Sequence, residues 1–129
     1  MKARAIWSAA AISLAIATAL GAFGTHALRP ILTPERFASF DIAVTYQFFH
    51  SLGLIGIGFL QRQAPFNRAF GRLAIALLVG MFLFCGSIYA LTFGAPKWIA
   101  MAAPLGGGTL ILTWVFAAIS IGRSKVFVD

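Results

Sequence analysis

Charge is scarce in this chain. Lysine, arginine, aspartate and glutamate together make up 10% of its 129 residues, against roughly 25% in an ordinary soluble domain. That is too little to coat a surface facing water, and the mean hydropathy of +0.93 points to lipid as the solvent. Acid is scarcer still. Glu35, Asp41 and Asp129 are the only carboxylates, and none lies inside a long apolar run. Chemistry that needs paired carboxylates, or an acid embedded in a membrane span to couple protons to export, has no residues to work with. The single cysteine, Cys85, rules out an intramolecular disulfide and a thiolate-rich metal site, and reads as a small polarisable core residue. No HExxH, phosphate-binding glycine loop or Ser/His/acid set is present, so no enzyme is expected.

What the chain does have is long charge-free stretches. Residues 5–28, 42–61, 73–96 and 98–122 contain no Asp, Glu, Lys or Arg. Each can span a bilayer as a helix, which takes about 20 apolar residues. Helices are the form expected, because lipid leaves backbone polar groups unsatisfied and the alternation of a membrane barrel is missing. The reading is a single all-α domain over 1–129, a bundle of four transmembrane helices at about 5–24, 42–61, 73–93 and 98–121. The first apolar run is longer than the ~7–15 residues of a signal peptide and is read as span 1.

The net charge of +7 is explained by sidedness, with no nucleic acid as partner. Lys2, Arg4, Arg62, Arg68, Arg72, Arg123 and Lys125 fall on one side of the bundle, and Arg29, Arg36 and Lys97 on the other. Seven basic residues against three put both termini in the cytoplasm by the positive-inside rule. A multi-pass protein of the bacterial cytoplasmic membrane is expected.

Several local features shape the expected packing. Ala9, Ser13, Ala17 and Gly21 recur every four residues in span 1 and form a flat stripe for close helix approach. Gly106 and Gly107, with Gly108, are expected to admit a neighbouring backbone in span 4. Thr33, Pro34 and Glu35 make a helix start, with Phe37 and Phe40 three apart, so a short interfacial helical turn is expected between spans 1 and 2. Pro104 sits inside the last run. A helix starting at Trp98 and kinked there is favoured over a short piece followed by a helix starting at Pro104.

The stretch "YQFFHSLGL", residues 46–54, is the puzzle. Tyr46, Gln47 and His50 lie within one turn and a half of a helix that has to be lipid-soluble, and their spacing places them on one face. Asp41 stands at the outer end of that helix, His26 closes span 1 on the same side, and Ser87 and Tyr89 rise toward it on span 3. His26, Asp41, Tyr46, Gln47, His50, Ser87 and Tyr89 are therefore expected to form a polar cluster near the outer leaflet. One use is an interhelical hydrogen-bond network. Another is a proton or small-ligand site, since ionisable groups in membranes mark function. A third is a metal or haem held by His26 and His50.

Four motifs resemble one family in order and spacing: "GAFGTHAL" (21–28), "YQFFHSLGL" (46–54), "FCGSIYAL" (84–91) and "APLGGGTLILTW" (103–114). It is the bacterial small membrane-protein family known as domain of unknown function 423, to which eukaryotic transmembrane protein 256 is similar. The resemblance covers nearly the whole chain. It implies a four-helix integral membrane protein without an established activity. Thr25 stands where the family usually has a small residue and Cys85 where serine is more typical, so neither is carried over as functional. The expected role is an accessory or scaffold subunit in a membrane complex, or a homo-oligomer, without a cofactor. The alternative is a metal- or haem-binding redox accessory built on His26 and His50, with a minimal channel or transporter below it.

Overall fold

The computed structural model describes residues 1–124; Lys125 and Asp129 lie outside them. Charge and caps set the helix ends. α1 (Ala3–Phe23) begins just after Lys2 and continues into a π-helical turn, Gly24–Leu28. α2 (Pro34–Gln63) starts on Thr33, whose side chain accepts from the Arg36 backbone N–H at 3.4 Å, with Pro34 at the first helical position. α3 (Arg68–Thr92) is capped by the Asn67 side chain, which accepts from the Ala69 N–H at 2.9 Å, and is closed by Gly94 at φ +92°, a backbone geometry that costs glycine little. A 3₁₀ turn, Lys97–Met101, leads into α4 (Ala102–Gly122). Four stretches, Ala3–Leu28, Pro34–Gln63, Arg68–Thr92 and Lys97–Gly122, are long and apolar enough to cross a membrane, and no strand occurs among the described residues.

Two expectations fail in detail. The interfacial turn around Phe37 and Phe40 is the beginning of α2 itself: once Thr33 and Pro34 start a helix, nothing before Gln63 stops it, since Asp41 on an exposed face costs no hydrogen bond. Pro104 does not kink a helix that begins at Trp98. It is the third residue of α4, where its missing N–H would have had no intrahelical partner, and the 3₁₀ turn takes up the residues before it.

Consecutive helices pack as antiparallel neighbours along three main seams, α1 on α2, α2 on α3 and α3 on α4, while α1 and α3 barely meet. The larger apolar core joins Ile6 and Ala10 of α1, Leu54 and Ile57 of α2, Phe70 to Met81 of α3, and Leu110 and Ala117 of α4. A smaller one, at the opposite end, gathers Leu28, Phe40 and Val44. Lys2, Arg4, Arg62, Arg68, Arg72 and Arg123 share one end, where the N-terminal amine donates to the Gly71 carbonyl at 3.3 Å. At the other end Arg36 donates to the Leu91 and Thr92 carbonyls, both at 3.3 Å, placing a cation on the last turn of α3, where the helix dipole favours it.

Candidate functional site

Between the two apolar cores runs a layer of polar side chains. Gln47 is its centre: its amide donates to the Ser13 carbonyl at 3.0 Å and to the Ser13 hydroxyl at 3.3 Å, and its carbonyl accepts from the Tyr89 hydroxyl at 2.8 Å. The Ser51 hydroxyl lies 2.7 Å from that of Ser13. One chain of hydrogen bonds thus ties α1, α2 and α3 together, and no fully buried side-chain nitrogen or oxygen among the described residues lacks a partner. In lipid such a layer sets register, because any slip leaves several polar groups unpaired.

A groove of about 480 Å³ opens above this layer. Ser13, Ile16 and Leu20 form its α1 wall, Met81, Phe82, Cys85 and Tyr89 its α3 wall, and Gln47 its floor. It exists because α1 and α3 both lean on α2 without closing on each other.

The expected cluster of seven residues divides. Gln47 and Tyr89 meet, joined by Ser13 and Ser51. Tyr46 and His50 turn toward α3 and α4 instead: their rings stack 5.6 Å apart, Phe84 lies 5.0 Å from Tyr46, and Trp114 lies 6.2 Å from His50. The cause is helix geometry. Neighbouring residues point about 100° apart, so Gln47 with Ser51 and Tyr46 with His50 make two i,i+4 pairs on two faces. Ser87 bonds within its own helix, to the Phe84 carbonyl at 2.9 Å. His26 and Asp41 are exposed, and their side chains make no hydrogen bond or ion pair among the described residues.

His26 and His50 do not meet either. The α1/α2 register pairs Gly24 with Phe40 and Gly21 with Val44, which puts His26 level with about residue 38 of α2. His50 lies twelve residues further on, roughly 18 Å along the axis. Two imidazole nitrogens on one ion would have to lie within about 4 Å of each other. The described residues hold no group of three or more His, Cys, Asp or Glu able to bind a metal.

The small-residue stripe of α1 faces α2 unevenly: Ala17 is buried, Ala9, Ser13 and Gly21 are half-buried, and a Cβ on Gly21 would touch Val44 at 3.5 Å. In α4 only Gly106 is pressed against backbone, since a Cβ there would sit 2.8 Å from the Phe84 Cα; Gly107 has ordinary contacts and Gly108 none within 4 Å. Residues the sequence reading passed over also hold the fold. Trp7 donates from its indole to the Ile55 carbonyl at 3.2 Å, and the Trp114 ring occupies the space a side chain at Gly53 would need. The missed Ser51 had a signal, its i+4 spacing from Gln47.

The family model described as "Protein of unknown function (DUF423)" matches residues 20–107. The chain belongs to the DUF423 family. A UPF0382 membrane protein of Haemophilus influenzae is 34% identical over 116 residues, covering 89% of this chain and 91% of that one. A UPF0382 membrane protein of Staphylococcus saprophyticus is 31% identical, over 90% and 93%, and the inner membrane protein YgdD of Escherichia coli is 31% identical, over 90% and 88%. No solved structure matches. The DUF423 match includes Gln47, Tyr89, Tyr46 and His50 but begins after Ser13. Like its relatives, the chain is a membrane protein, with four apolar helices.

Proposed function

We propose that this DUF423 protein is an accessory or scaffold subunit of the bacterial cytoplasmic membrane, acting through the sides of its helices. One observation carries this reading: nearly all of the described chain is helix, with only residues 29–33, 64–67 and 93–96 between the helical segments and 1–2 and 123–124 at its ends. A protein with so little surface in water has few means of recognising a soluble partner. What it offers is lateral. In their most apolar windows 17% and 22% of the residues of the first and last spans are buried inside the bundle, against 39% in α2 and α3, so the two outer helices offer the membrane more side than the inner pair. The hydrogen-bonded layer gives that surface a fixed shape. The polar atoms of the layer satisfy one another, which suits a part that holds shape. No resident cofactor is part of this reading.

The same reading has both termini in the cytoplasm. Among the described residues, six basic ones and no acid mark the end that holds Met1 and Arg123, while Arg29, Arg36 and Lys97 share the other end with Glu35 and Asp41; by the positive-inside rule this charge bias supports the first end facing the cytoplasm. Gentle-detergent purification of the native protein, with mass spectrometry and metal analysis on the same peak, tests the role. A stoichiometric assembly without metal supports it; a single chain loaded with metal or haem overturns it in favour of a cofactor site at His50.

A further inference from the structure

His50 is a polar group left open in the wrong solvent. Its Nδ1 lies 2.7 Å from the Tyr46 carbonyl, and since a carbonyl only accepts, Nδ1 carries the proton. In the neutral ring Nε2 is then a bare acceptor. No hydrogen bond reaches Nε2 from the described residues, and His50 as a whole is 9% exposed. No atom of this ring is among fully buried unpaired ones, so Nε2 is not completely enclosed. His50 lies nine residues from Asp41 and twelve from Arg62, about 14 and 18 Å along the axis, deep in the hydrocarbon. An unpaired acceptor at that depth calls for a donor from outside the chain.

The same patch holds a donor without an acceptor. The Tyr46 hydroxyl, one turn away on a side chain 43% exposed, makes no hydrogen bond among the described residues. Beside it Phe49 is 66% exposed, and Gly56, on the same face, has nothing within 4 Å of where a Cβ would be. We propose that a second copy of this chain docks on the α2 face bearing Tyr46, Phe49 and Gly56, with the Tyr46 hydroxyl of each copy donating to His50 Nε2 of the other. A patch holding one unpaired donor and one unpaired acceptor is self-complementary, as a two-fold interface requires. Gly56 gives the facing helix room for close approach. This deepens the scaffold reading and rests on it.

Tyr46→Phe isolates the claim. It deletes a hydroxyl that bonds nothing among the described residues, so the fold keeps its melting temperature while the pairing across copies is lost. In a Cys85→Ala background, Phe49→Cys is oxidised in native membranes beside a control cysteine at Val79, which is exposed on α3. The expected result is a disulfide dimer at position 49 and not at 79, with dimerisation about tenfold weaker when Tyr46→Phe is added. Equal cross-linking at both positions, or cross-linking at 49 indifferent to Tyr46→Phe, overturns the proposal. A chain that is never dimeric yet purifies with a different subunit also overturns it, while leaving the scaffold reading intact. A chain always alone overturns both.

Discussion

Replacing Gln47 by leucine keeps the volume of the side chain and removes the centre of the polar layer. Three hydrogen bonds disappear, two donated to Ser13 and one accepted from Tyr89. Interhelical hydrogen bonds in membranes are worth about 0.6 to 2 kcal/mol each, so the loss should come to about 2–4 kcal/mol. The Tyr89 hydroxyl, left half-buried without its acceptor, holds the value toward the upper end. Reversible unfolding in mixed detergent–SDS micelles measures this directly. Tyr89→Phe removes only the 2.8 Å bond and should cost about 1 kcal/mol. The double variant should cost less than the two singles added, because they share that bond. A Gln47→Leu protein within about 0.5 kcal/mol of the parent would refute the idea that this layer holds α1, α2 and α3 in register.

Other outcomes follow from single contacts. Gly106→Ala drives a Cβ into the backbone of Phe84 and close to the Gly80 carbonyl, so it should destabilise by about 1–3 kcal/mol, whereas Gly108→Ala, with nothing nearby, should be neutral or stabilise by up to about 1 kcal/mol; thermal melts of the pair in one detergent give the comparison. Trp7→Phe loses the indole bond to Ile55 and should cost about 1 kcal/mol by the same melt. Moving Arg62, Arg68 and Arg72 to the 29–36 segment should mix the orientations seen by cysteine accessibility in cells, and termini found outside in the unaltered protein would reverse the assignment.

Much of this architecture was legible in the residues. Gaps between charges located the four apolar helices because lipid tolerates so few of them, and Thr33-Pro34 marked the start of α2 because a cap and a proline act locally. The site was legible only in part. Treating Tyr46, Gln47 and His50 as one face blurred a 100° difference that became decisive once α1 took the Gln47 side and α4 the Tyr46 side. Which helix takes which side is a tertiary choice that local spacing does not encode. The same holds for glycine: Gly106, Gly107 and Gly108 look alike in sequence, and only the crossing of α4 over α3 singles out the first. The π turn at Gly24–Leu28 is tertiary as well, since Gly24 has the Phe40 ring where a Cβ would be, at 2.6 Å.

Lateral contact is the centre of the account, and the groove between α1 and α3 is where to look for it. Phe82 stands on its rim and is 78% exposed. A photoreactive amino acid placed there, and at Phe49 and Trp98 for comparison, reports what touches each position in intact membranes. The account predicts discrete protein adducts at Phe82 or Phe49, reproducible in mass, and lipid adducts at Trp98. Lipid adducts alone at all three positions would contradict it.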